Sequence, residues 1–167
     1  MRCLVYVSIA VALSACGRDR ANHASASSPT KRVEPSQQLA PLIARLHYEQ
    51  LHRPPTRISA ERVLDALERA GVGVRERRQF LGATVRAAYC AGGTTADDIA
   101  ISVCEYRTPA AALAGKQLMD KRFAVMDANA HRVVRDRTVL SVVESVAKGS
   151  TTRILERFAA IEPQEPK

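Results

Sequence analysis

Tryptophan is absent from this 167-residue chain, and four tyrosines and three phenylalanines are the only other aromatics. So thin a supply argues against the stacked aromatic platforms on which single-stranded nucleic acids bind. The four cysteines include no CxxC unit, which removes the usual zinc patterns. No apolar run approaches the roughly 20 residues that span a bilayer. There is no GxSxG nucleophile elbow, and neither Gly71-Val72-Gly73 nor Gly92-Gly93 completes a phosphate loop. His47 and His52 flank Glu49 but stand five apart, so they diverge on a helix where a zinc-protease pair would need a spacing of four. His131 stands alone, and Asp97-Asp98 reads as a solvated turn. The sequence therefore calls for no metal and no cofactor, and an enzyme is the less favoured reading. What is present is charge: 25 Lys and Arg against 17 Asp and Glu give a formal net charge of +8. With 46% hydrophobic residues, the composition is that of one globular domain plus a smaller segment.

The smaller segment comes first. Residues 1–15 hold twelve apolar residues, with Arg2 near the start, and residues 4–13 are interrupted only by Ser8. The run ends in Leu13-Ser14-Ala15-Cys16. These residues resemble a bacterial lipoprotein signal with its lipobox, in which small residues admit the signal peptidase and the cysteine becomes the lipidated first residue. The competing reading is an ordinary secretory signal with a cysteine at its cleavage site. The resemblance implies a signal peptide over 1–15, lipid on Cys16 and membrane attachment through it. Gly17, where aspartate would favour inner-membrane retention, implies the periplasmic face of the outer membrane in a Gram-negative host. Loss of Arg2 with the signal lowers the charge from +8 by one, to +7. An exported basic domain meets anionic envelope components rather than nucleic acid. Export also leaves Cys90 and Cys104 as the only cysteines of the folded part, and an oxidising compartment favours a disulfide between them.

Residues 16–38 read as the lipidated cysteine and a flexible tether, with Val33 the only large aliphatic side chain after Cys16. The 22 residues after Cys16 would have an end-to-end distance of roughly 25 Å, and at most about 75 Å when stretched. Residues 39–163 read as a single α+β domain, and 164–167 as a tail. A first helix is expected from near Pro41 to His52, with Leu42, Ile43 and Leu46 on one face. A second is expected after the N-cap Ser59, with Val63, Leu64 and Leu67 along its stripe and Gly71 past its end. Val72-Gly73-Val74 reads as a short strand and the charged residues 75–78 as a solvated edge or loop. Strands are expected over 84–91 and 99–106, joined by a turn over 92–98. If Cys90 faces Cys104, the hairpin centres on Asp97, where a turn is already expected. Thr108-Pro109 opens a further helix, strands over 131–135 and 138–143 follow, and Ser150 or Thr151 caps the last helix. The expected architecture is a two-layer α+β sandwich. Two β-β-α units supply a four-stranded antiparallel sheet with helices on one face, and the N-terminal helices are added to it.

The site residues follow from charge and from that uncovered sheet face. Arg75, Arg77 and Arg78 form one basic group and Arg132, Arg135 and Arg137 a second. Sharing a face or edge, the two groups would attract an anion. Tyr89 and Tyr106 are candidate partner contacts. The expectation is a lipid-anchored, non-catalytic module that binds an envelope component or a protein partner. An envelope enzyme with a site assembled from distant residues, or a structural subunit of an envelope complex, are the alternatives.

Overall fold

The computed structural model describes residues 35–125, 129–144 and 150–165. The expected signal segment, Cys16 and the expected tether as far as residue 34 lie outside the described residues. Helix α1 spans Pro35–Leu51, so the last four residues assigned to the tether are helical and Pro41 lies inside the helix rather than at its start. The C-terminal half of α1 is tied to the domain through the Leu46 carbonyl, which accepts from Gln79, and through Glu49. Leu42 and Ile43 remain 41% and 63% exposed, whereas Glu49 is buried. No described helix is long and apolar enough to cross a membrane.

Helix α2, Ala60–Arg69, has both ends fixed by local chemistry. The Ser59 hydroxyl accepts the Arg62 N–H at 3.3 Å. At the other end Gly71, at φ +77°, lets Gly71 and Val72 donate back to the Glu68 and Leu67 carbonyls. That pair of bonds is the Schellman arrangement glycine favours. Val63, Leu64 and Leu67 are buried along one stripe.

Five strands make one antiparallel sheet: β1 (Val74–Phe80), β2 (Tyr89–Thr95), β3 (Ala100–Glu105), β4 (Ala130–Arg135) and β5 (Thr138–Val143). Their spatial order is β1-β2-β3-β5-β4. Helix α3, Pro109–Arg122, follows β3 behind the N-cap Thr108, and α4, Ser150–Ala159, follows β5. The α+β class stands, with one strand more than expected. The charged segment after Val74 pairs with β2 as an edge strand. A bulge between Arg75 and Arg78, with Glu76 at φ 52°, bends this strand as edges commonly are bent.

The sheet is covered on both faces, which corrects the two-layer expectation. Ile101, Val103, Leu140 and Val142 meet α2 and α4 on one face. Cys90, Cys104 and Val139 meet Ala112 and Met119 of α3 on the other. β5 carried a sign of this: apolar side chains at the consecutive positions Val139 and Leu140, and again at Val142 and Val143, suit a strand buried on both sides.

The β2–β3 hairpin also differs in detail. Gly92 and Gly93 are not turn residues but lie within β2, and the reversal occurs over residues 96–98. A Cβ on Gly92 would stand 2.0 Å from the Ile101 carbonyl oxygen, and one on Gly93 2.2 Å from that of Arg75. Backbone approach, not chain reversal, demands glycine here. Residues 82–85 form a single 3-10 turn rather than the start of a strand. Extended pairing with β3 begins only at Tyr89.

Candidate functional site

The cysteines are brought together as the hairpin register anticipated. Cys90 faces Cys104 across β2 and β3, with Cα atoms 4.1 Å apart and the sulfurs bonded. The arginines are not brought together. Arg75, Arg77 and Arg78 sit on β1, Arg132 and Arg135 on β4 and Arg137 in the turn after it, at opposite edges of the sheet, so the two groups form no common patch.

Most of these arginines serve the fold. Arg77 pairs with Asp65 at 2.7 Å and Glu68 at 2.6 Å, fastening β1 to α2. Arg135 donates to the Phe158 and Ile161 carbonyls at the end of α4, where a cation suits the helix dipole. Arg137 donates to the Pro55 carbonyl, and Arg75 to that of Thr95 at 3.3 Å. Tyr89 and Tyr106 are also corrected: they are 5% and 1% exposed and belong to opposite faces, so neither is a surface contact.

Three glutamates, Glu49 and two that the sequence reading did not name, are buried, and each serves a chain turn or helix start. Glu49 accepts the Gly82 and Ala83 N–H groups at 2.8 and 3.0 Å. Glu144 accepts the Thr151 N–H at 3.1 Å and the Thr151 hydroxyl, at the start of α4. Glu105 accepts the Ala60 N–H at 2.7 Å, at the start of α2, and the Arg53 guanidinium at 2.6 Å. Arg53 also pairs with Glu61 and lies 3.8 Å from the Tyr89 ring centre. Burial pushes the Glu105 carboxyl above its ordinary range despite Arg53 and the Ala60 N–H. Burial is likewise the largest single effect on Glu61 and opposes its charge, but the hydrogen bond and charge of Arg53, with backbone and Ser59 hydrogen bonds, together outweigh it and the net direction is down. Strand alternation could have found two of these carboxylates. Glu105 continues the buried series Ile101 and Val103, and Glu144 continues Leu140 and Val142.

The concave feature lies on the α3 face. Strand register places Arg78, Gly92, Ser102, Ser141 and Arg132 in one row across all five strands. Such a row spans about 19 Å at roughly 4.8 Å per strand. Its three central residues are small, so no side chain there fills the space beneath α3 and the 3-10 turn. A cleft of about 240 Å³ results at the Ser102, Ser141 and Arg132 end. Phe80, Leu81, Val85, Met119, Phe123 and Val143 form its apolar walls, with Cys90 and Cys104 also in the lining.

Arg132 is the one charged side chain in that lining, 5% exposed and 3.2 Å from Asp120. Burial of Asp120 is outweighed by its hydrogen bonds from Lys116 and Arg132, which hold its carboxyl below the ordinary value. The cleft is thus apolar, with two hydroxyls and a paired cation on its sheet side. That composition suits orientation of a small apolar ligand with one polar end. Comparison with protein-family models, curated proteins and solved structures finds no match to this chain.

Proposed function

We propose that the chain is a lipid-anchored envelope protein whose folded part is a non-catalytic binding module, with the α3-face cleft as its ligand site. The anchor rests on Leu13-Ser14-Ala15-Cys16, and Gly17 favours the periplasmic face of the outer membrane. The observation that carries the binding reading is the cleft itself, whose apolar walls stand over Ser102, Ser141 and Arg132. Its chemistry fits a compact aliphatic group whose anionic or hydrogen-bonding end meets Arg132 and the two serines. At about 240 Å³ it is smaller than the roughly 300–1,000 Å³ of drug-sized pockets, so a short chain is the appropriate probe.

Because the native chain has no tryptophan, Phe123→Trp installs a single reporter at the cleft wall. Octanoate should shift its emission in a saturable manner, and more tightly than octanol does. Unchanged emission with both compounds would remove the ligand site. The anchor is tested separately in cells: Cys16→Ser should release the protein from the membrane fraction, and unchanged fractionation would contradict lipidation.

A further inference from the structure

On the sheet face opposite the cleft, α2 and α4 lie side by side in opposite directions. Arg62 near the start of α2 shares a lining with Ile161 and Glu162, whereas Ala70 at its end shares one with Arg153. Between the helices runs a groove of about 380 Å³ that adjoins a second space of about 520 Å³, the two sharing Ala70, Arg157 and Ala160. Four arginines line it: Arg62 and Arg69 from α2, Arg153 and Arg157 from α4. We propose that this groove binds a ligand carrying two or more phosphate groups.

The helical spacing explains the convergence. Arg62 and Arg69 are seven residues apart and Arg153 and Arg157 four apart, so each pair shares one helix face. Ala66 and Ala70 stand within the first stripe and Ala160 beyond the second, giving the groove a low floor from which guanidinium groups rise. Arg69 and Arg157 each lie in the last turn of a helix, where a cation complements the dipole. That benefit accounts for each helix alone. It does not account for two such helices placing four like charges around one concavity, which costs energy without a counter-ion.

The partners differ, too. Arg45, Arg53, Arg57, Arg77, Arg132 and Arg137 each lie within ion-pair distance of a carboxylate. None of the four groove arginines forms an ion pair among the described residues. Glu162 lines the first space with Arg62, Arg69 and Arg157, and Glu156 the second with Arg153 and Arg157, so four cations face two carboxylates and positive charge is in excess. Arg62 and Arg69 are roughly 10 Å apart along α2, a span that one phosphate does not fill and two do. Guanidinium forks match phosphate oxygens two at a time, which makes phosphate the fitting anion. The assignment is independent of the cleft on the other face.

The test uses the full lipidated chain in neutral detergent micelles, with affinity measured calorimetrically. Inorganic tripolyphosphate is one probe, and micelles doped with cardiolipin, which presents two phosphates on one headgroup, are the other. At least one should bind, and Arg69→Gln/Arg157→Gln should weaken it by about tenfold or more with an unchanged circular dichroism spectrum. Arg107→Gln, outside the groove, should leave affinity unchanged, and Glu162→Gln should tighten it. Response to tripolyphosphate identifies a soluble source of the phosphates, and response to cardiolipin alone a lipid headgroup. Binding of neither probe, or binding that survives Arg69→Gln/Arg157→Gln, overturns the proposal.

Discussion

Tyr106 sets how closely α3 approaches the sheet. It is 1% exposed, its hydroxyl donates to the Val85 carbonyl at 3.3 Å, and burial pushes its pKa up to about 12. The ring lies against Gly115 of α3, where an added Cβ would stand 2.2 Å from the hydroxyl oxygen and 2.3 Å from two ring carbons. Two effects therefore oppose each other in Gly115→Ala. Alanine gains roughly 0.5–1 kcal/mol of helix propensity, whereas overpacking a core typically costs about 1–3 kcal/mol. The ring is fully enclosed and cannot swing aside, so the cost should win and the urea midpoint should fall. A midpoint equal to or above that of the parent would show that α3 can slide. Tyr106→Phe should not rescue the variant, because two of the three close contacts are to ring carbon.

At the scale of elements, the β2–β3 hairpin links local register to global packing. Its disulfide closes a loop with a sequence separation of 14, for which the chain-entropy model gives on the order of 3 kcal/mol. Cys90→Ala/Cys104→Ala should lower stability by about that amount or less, since a hairpin partly ordered when unfolded has less entropy left to lose. Reductant should lower the melting temperature of the parent and leave the variant unmoved. Identical melting of the parent with and without reductant would contradict the contribution. This hairpin was legible because strand alternation and cysteine pairing point to one centre, Asp97. Helices α2 and α3 were legible through the caps Ser59 and Thr108. The glycines of β2 misled, because glycine in a turn and glycine under a close neighbouring backbone look identical in sequence. Which face α3 covers was hidden as well. The small row Gly92, Ser102, Ser141 exists only once β3 is known to pair with β5, and no local pattern specifies that neighbour. The groove arginines were open to sequence reading, since Arg62, Ala66, Arg69 and Arg153, Arg157, Ala160 follow helical spacing. Attention to the apolar stripes of the same helices passed them over.

For the whole molecule, the basic side chains of the described residues show three uses. Some arginines fasten edges and helix ends, Arg53 and Arg132 neutralise carboxylates within the fold, and four line the α2–α4 groove. The division makes the response to acid calculable in sign. Glu61 and Asp120 have their carboxyls held below their ordinary values of 4.5 and 3.8, because burial, the largest single effect in each, is outweighed by hydrogen bonds and cationic charge taken together, chiefly from Arg53 at Glu61 and from Lys116 and Arg132 at Asp120. Each contributes stability that is present above its unfolded value and lost as pH falls through its folded value. Glu105 acts in the opposite sense: its carboxyl is raised, so the contribution of its protonated form is lost as pH rises, not as it falls. Protonation also adds to a net charge of +8, and self-repulsion then works against the compact state. Stability should therefore decline steadily below about pH 4.5, with Arg53 and Arg132 losing partners. Glu61→Gln/Asp120→Asn should be less stable than the parent near neutrality yet lose less on acidification, so that the two urea-midpoint curves converge as pH falls. Parallel curves over the same interval would show that these two ion pairs do not govern acid sensitivity, and would leave it to the accumulated positive charge.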